Sequence, residues 1–349
     1  MWKFLAWASA TLVVLAAALA VTGWAAVRSM DLDAEPRGNP LATAADLDFV
    51  RDGTATRRGR ILAVLSSTAH FDQGRRQGGY ELTELARAYW VFVANGYEVD
   101  LASPLGGEPP QVLDEGLTDA DHAFLNDPVA QARLADTLAL ADVDPARYAA
   151  VYFVGGKGAM FDFPGDPDLA RIVREIAPRG VVGAVCHGPA ALLDLPLGDG
   201  NTLLQGRRVT GFSNDEELFL MDDARTALPF MLEDALAAAA GEFVGGPMYL
   251  DNTVVDGRLV TGQNPWSTWS VAEAMVRALG HEPVPRRPTS EEVAVQLLGT
   301  FHAEGIDAAL ARKAGSAHAS KHLLLMHAVV AAMQMEMRQA WQLQRLARK

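Results

Sequence analysis

Gly180 to Val185 is a short apolar run that ends abruptly in Cys186-His187-Gly188-Pro189. Its β-branched residues read as a strand buried on both faces, the signature of a parallel sheet. Gly188-Pro189 followed by Ala190, Ala191, Leu192 and Leu193 reads as the opening of a helix, with Pro in its first turn. Small residues stand two positions either side of Cys186, at Ala184 and Gly188. That spacing is a nucleophile elbow, a sharp turn from strand to helix. It requires an α/β sheet and presents residue 186 at the sheet's carboxyl end, where open sheets bind ligands. A helix N-terminus there would lower the thiol pKa. Cys186 is the only cysteine among 349 residues, so no intramolecular disulfide forms. The competing reading of a lone thiol is a buried core side chain.

Strand and helix patterns alternate around this point. Arg60–Leu65, Tyr97–Ala102, Tyr148–Val154, Arg208–Phe212 and Val254–Thr261 read as strands. Glu81–Ala94, Asp127–Leu140 and Asp166–Ile176 read as helices, and residues 105–127 as an irregular loop. The order predicts a mostly parallel sheet flanked by helices on both faces. Half of the residues are apolar, enough for a large core, and the net charge of −13 argues against nucleic acid as a partner.

Both ends differ from the middle. Residues 4–27 carry no charge and would form a helix about 36 Å long, enough for a hydrocarbon core of about 30 Å. With Trp2 and Trp24 near its ends and Lys3 before it, the run predicts a transmembrane anchor over 1–28. The protein would then be membrane-anchored with its catalytic domain extracytoplasmic, or periplasmic. A signal peptide cut after Ala18-Leu19-Ala20, giving a secreted protein, is the alternative. Residues 29–57 read as a linker, 58–283 as the catalytic domain and 284–349 as a helical extension. In the extension Thr289 to Glu292 is a capping box, and Ser320 to Lys349 reads as one long helix. Residues 286–349 carry nine Lys/Arg against five Asp/Glu, a net +4 that leaves −17 elsewhere. That contrast predicts docking on the acidic domain or on a second copy, which would be a homodimer; ordinary packing inside one domain is the alternative. His318 and His322 are spaced i,i+4, but no further ligand joins them, so no metal site is expected.

A thiol nucleophile needs a group that handles its proton and a place for an oxyanion. His187 is adjacent in the chain. Gly155-Gly156-Lys157-Gly158 ends a strand in a turn whose N–H groups could hold an oxyanion. Asp215, Glu216 and Glu217 offer a carboxylate to orient His187, or simply favour a helix N-terminus. Glu84 by itself is a helix glutamate.

Taken together these segments resemble the ThiJ/PfpI superfamily, whose fold is like the class I glutamine amidotransferase domain and flavodoxin-like. The resemblance is strongest to its branch of glyoxalase III enzymes and heat-shock chaperones. The residues that carry it are Gly79-Tyr80 with Glu84, Asn95 to Pro104, Gly155 to Gly158 with Phe161 to Pro164, Ala184 to Ala190, Thr210 to Glu217, and Asp256 to Pro265. The resemblance covers about 58–281. The resemblance implies that Cys186 is the nucleophile, with His187 and Glu217 completing a triad. It implies that Glu84 is the acid touching the sulfur and that Gly155 and Gly156 form the oxyanion site. Lys157 departs from the pattern, since the family often has His there.

The implied activity is cofactor-free conversion of a small reactive carbonyl such as methylglyoxal to lactate. The alternatives are a thiol hydrolase (amidase, deglycase or peptidase) and a membrane-tethered holding chaperone.

Overall fold

The computed structural model describes residues 32, 35–113, 116–198 and 200–348. They divide into two compact units, 37–287 and a smaller one built mainly from 288–348.

The larger unit is organised by a seven-stranded sheet. Its strands are β1 (Gly59–Val64), β2 (Tyr97–Ser103), β3 (Leu138–Ala139), β4 (Ala150–Phe153), β5 (Val181–Val185), β6 (Thr253–Asp256) and β7 (Leu259–Gly262), in the order β6-β7-β5-β4-β1-β2-β3. All pairs are parallel except β6 with β7. Every residue of β4 and β5 is buried, which explains their unbroken apolar runs. Helices cover both faces. A side chain at Gly183 of β5 would collide with Met275 of α7 (Thr268–Ala278), and Val182 lies beside Arg174 and Ala177 of α4 (Pro167–Ile176) and its end. The α/β sheet with mostly parallel strands therefore stands as expected.

Several elements depart from the periodicity. The segment 105–127 contains α2 (Asp119–Asn126), started by a capping box between Thr118 and Asp121. The helix expected over 127–140 is α3 (Pro128–Ala135). It ends there because the Thr137 hydroxyl meets Ser103 Oγ (2.8 Å) and donates to the Gly107 carbonyl (2.6 Å), drawing the chain to the sheet edge as β3. Val254–Thr261 is a hairpin, since Gly257 (φ 62°) reverses the chain. Arg208–Val209 pairs with Glu242–Phe243 in a separate two-stranded sheet. Residues 37–57 belong to the larger unit: Ala44–Asp46 and Asp48–Arg51 are helical, and Asn126 Nδ2 donates to the carbonyls of Pro40 and Ala42.

α2 is tied to α1 (Leu82–Ala94) by a buried ion pair, Arg87 Nη2 to Asp121 Oδ2 at 3.3 Å, with side chains 1% and 0% exposed. The same Asp121 oxygen accepts from Thr118 N and Oγ1, both at 2.7 Å. Removing one charge strands the other in a dry interior. Asp121→Ala is expected to lower unfolding free energy by about 3–5 kcal/mol, and Asp121→Leu with Arg87→Met by much less. Urea denaturation of the three proteins measures the difference.

The membrane expectation is corrected here. Among the described residues no helix is long and apolar enough to cross a membrane, and the run 4–27 lies outside them. The fold therefore carries no transmembrane element among the described residues, and an anchored, extracytoplasmic placement is not retained.

In the smaller unit α8 (Ser290–Glu304) starts at the Thr289 capping box, followed by α9 (Ile306–Ala314). The single helix expected from Ser320 is two, α10 (Lys321–Met333) and α11 (Met337–Arg348). Met335 adopts φ 64° and Glu336 N donates to the Ala331 carbonyl, a left-handed C-terminal stop without glycine. Leu323, Leu324, Val330 and Ala331 of α10 are buried, as are Leu297 and Leu298 of α8 and Leu343 and Leu346 of α11. The apolar run thus finds cover inside its own helical unit. His318 Nε2 lies 3.3 Å from Glu35 Oε1.

Candidate active site

Cys186 follows β5 with φ 59°, a left-handed conformation that a non-glycine residue adopts at a cost of about 1–3 kcal/mol. Two hydrogen bonds hold it there: its N–H donates to the Gly262 carbonyl and its carbonyl accepts from Phe212 N, both at 2.9 Å. The turn aims the side chain out of the sheet plane. The residues after it form a five-residue 3-10 helix, Gly188–Leu192, in place of the expected α-helix. Gly188 is required by contact, because a Cβ there would sit 2.3 Å from the Phe153 carbonyl oxygen.

His187 continues the elbow. Its Nδ1 lies 3.3 Å from Cys186 Sγ and its Nε2 2.6 Å from Glu217 Oε2. The ring stacks on Phe212 at 4.6 Å between centroids, which fixes its plane. Glu217 sits in the first turn of α5 (Asn214–Leu220). Burial pushes its carboxyl up, but the charge and hydrogen bond of His187, then Lys157, outweigh this and hold it down at about 2. Its other oxygen, Oε1, lies 3.5 Å from Lys157 Nζ.

Glu84 reaches the site from the opposite direction, in the first turn of α1. That turn is held to the glycine loop by Glu81 N donating to the Gly155 carbonyl (3.1 Å) and by Gly158 N donating to the Gly79 carbonyl (3.2 Å). Glu84 is fully buried, its Oε2 accepts from Gly155 N at 2.7 Å, and its carboxyl hydrogen-bonds the Cys186 thiol. Gly155 has no space for a side chain: a Cβ would lie 2.5 Å from Glu84 Oε2 and 2.8 Å from Cys186 Cβ.

Two expectations change in detail. The Gly155 N–H is taken by Glu84, so it does not serve as a free oxyanion donor. The N–H groups of Gly156, Lys157 and His187 donate to no acceptor among the described residues. The thiol pKa also moves opposite to the helix-dipole expectation. Burial, then the Glu84 charge and hydrogen bond, push Cys186 well up, and Lys157 draws it back. Two adjacent acids in a dry site disfavour ionising together, which is why Glu84 raises the thiol.

Of the three acids at 215–217, Asp215 is exposed and Glu216 does different work. Fully buried, Glu216 closes the capping box with Ser213 (N and Oγ to Oε2, both 2.9 Å) and accepts from Tyr249 N and Asn264 Nδ2, both 2.8 Å. It fixes the start of the helix that carries Glu217. Tyr249 (φ 57°) in this network escaped the sequence reading, and Asn264 was included there only within the Asp256 to Pro265 motif, without a role. The Ser213-x-x-Glu216 capping pattern was the one local signal of it.

The fold and site define a class: an α/β protein with a cysteine on a strand-to-turn elbow, flanked by histidine and two buried carboxyls. The chain belongs to the DJ-1/PfpI family, whose sequence model matches residues 77–278. It is 33% identical over 244 residues to the glutathione-independent glyoxalase hsp3101 of Schizosaccharomyces pombe, covering 63% of this chain and 95% of that one. It is 29% identical over 228 residues to glyoxalase 3 of Candida albicans, covering 62% and 97%. Among solved structures, Rapid Encystment Protein 24 KDa of Francisella tularensis matches at TM-score 0.60 and 31% identity, covering 64% of this chain and 99% of that chain. Glyoxalase III of Candida albicans matches at TM-score 0.57 and 28% identity, covering 63% and 97%. The family resemblance carried by the motifs is borne out.

Proposed function

We propose that the protein is a glyoxalase III-like enzyme that converts methylglyoxal to lactate without glutathione, with Cys186 as nucleophile. The observation that carries the reading is the contact of the Glu84 carboxyl with the Cys186 thiol, opposite the His187–Glu217 pair. It supports a reading with proton carriers on two sides of one sulfur. The names of the relatives point the same way.

In this mechanism the ionised sulfur adds to the aldehyde carbon, and the aldehyde oxygen takes a proton to give a hemithioacetal. A base removes the hydrogen from that carbon, giving an enediol, and a proton returns to the neighbouring carbon. The product is a thioester of a 2-hydroxy acid. Water cleaves it, releasing lactate and restoring the thiol. Glu84 is the shuttle between the two carbons, because its carboxyl stands against the sulfur. His187, oriented by Glu217, handles the oxygen proton and then the attacking water. The N–H groups of Gly156, Lys157 and His187 are donors available to an oxyanion.

Cys186 is 5% exposed and its partners are buried, which favours a substrate of a few heavy atoms over an amide or peptide. The test is incubation of purified protein with methylglyoxal in the absence of glutathione, followed by chiral detection of lactate. Formation of lactate in stoichiometric yield is expected. Release of amine from a chromogenic amide with no lactate would replace this reading by the hydrolase.

A further inference from the structure

Lys157 stands in the turn after β4, at the position where the family often has His. Its side chain is 20% exposed and extends over the site. Nζ lies 3.5 Å from Glu217 Oε1 and 5.9 Å from the centre of the Phe212 ring, the ring on which His187 stacks. Glu217 therefore has a nitrogen neighbour on each oxygen. His187 takes Oε2 and Lys157 takes Oε1.

The charges can be followed along the row. With a neutral thiol and a neutral imidazole, the Glu217 carboxylate and the Lys157 ammonium cancel. When the Cys186 proton passes to His187, the row reads thiolate, imidazolium, carboxylate, ammonium. Signs alternate and the sum is still zero. Without the ammonium the row carries a net negative charge before and after the transfer, and the thiol has to ionise against it, which a low-dielectric site disfavours. The other ionisable groups around the sulfur do not offset this. Glu84 from α1 and Glu216 from α5 each disfavour a further negative charge there, and burial keeps Tyr152 of β4 and Tyr249 neutral. Lys157 is a cation that acts on Cys186 in the opposite sense.

We propose that Lys157 is a positioning residue for the catalytic thiol: its ammonium, held on the second oxygen of Glu217, is the countercharge that keeps the buried row Cys186–His187–Glu217 neutral when the thiol ionises. The proposal rests on the reading of Cys186 as nucleophile, but not on methylglyoxal as substrate.

Because Cys186 is the only cysteine, alkylation of the full-length protein by iodoacetamide reports this thiol alone. The pH dependence of the alkylation rate gives its ionisation midpoint. In Lys157→Met and Lys157→Gln the midpoint is expected to rise by about one pH unit, the low end of what a charge a few ångströms away produces. In Lys157→Arg, which keeps the charge, it should stay near the wild-type value. Two neutral variants are used so that a folding defect in one is visible by circular dichroism and does not decide the outcome. An unchanged midpoint in the folded neutral variants would overturn the proposal. So would a shift in Lys157→Arg equal to that in Lys157→Met, since shape rather than charge would then be at work. If the neutral variants shift as expected while the wild-type protein forms no lactate, the countercharge role stands and the glyoxalase reading fails.

Discussion

Cys186→Ala is expected to reduce lactate formation from methylglyoxal to the uncatalysed background, a loss of roughly 10⁴-fold or more. The reaction as derived runs through a carbon–sulfur bond at every stage, and no other thiol in the chain can supply one. The fold should survive. Alanine meets the same left-handed backbone at 186, and the two hydrogen bonds that hold it, to Gly262 and from Phe212, use main-chain atoms only. Steady-state kinetics with a thermal melt on the same sample checks both halves. Retention of most of the activity in a correctly folded Cys186→Ala protein would remove the nucleophile assignment.

Glu84→Gln is expected to lower turnover by roughly a hundredfold or more while leaving the thiol reactive. The amide keeps the shape: its oxygen can still accept from Gly155 N, and its NH₂ can still donate toward the sulfur. What it cannot do is release and regain a proton on the timescale of the enediol step. The two measurements should therefore separate. Iodoacetamide should still alkylate Cys186, whereas conversion of methylglyoxal and the exchange of its carbon-bound hydrogen with solvent should both fall. Equal loss of alkylation and turnover would make Glu84 a structural support for the thiol instead of a proton carrier.

Glu84 also marks the limit of what local pattern reveals. On its helix it is one more glutamate near an N-terminus, and only the family's motif order singled it out. Its burial comes from the strand-end turn at Gly155 packing on the first turn of α1, 71 residues away in the chain. The capping box at Thr289 and the elbow at Cys186 were readable because each is closed within a few residues. The capping box at Thr118 has the same local form, yet it lay in a segment rich in Gly, Pro and Asp that reads as a loop. The buried Arg87–Asp121 pair that anchors that helix joins positions 34 apart, a separation at which no periodicity carries information.

The sequence by itself determined the sheet and the place of the cysteine, because both follow from short-range sterics. Fully apolar strands must be covered on both faces, and a turn flanked by Ala184 and Gly188 leaves the side chain between them nowhere to go but out of the sheet. Tertiary structure decided the protonation of the site. The elbow alone predicts a thiol acidified by a helix N-terminus. Packing replaced that helix with a short 3-10 turn and brought Glu84 against the sulfur, while the far side of Glu217 was left to Lys157. The energy of a buried charge depends on which groups share its low-dielectric surroundings, and those groups come from four separate segments of the chain.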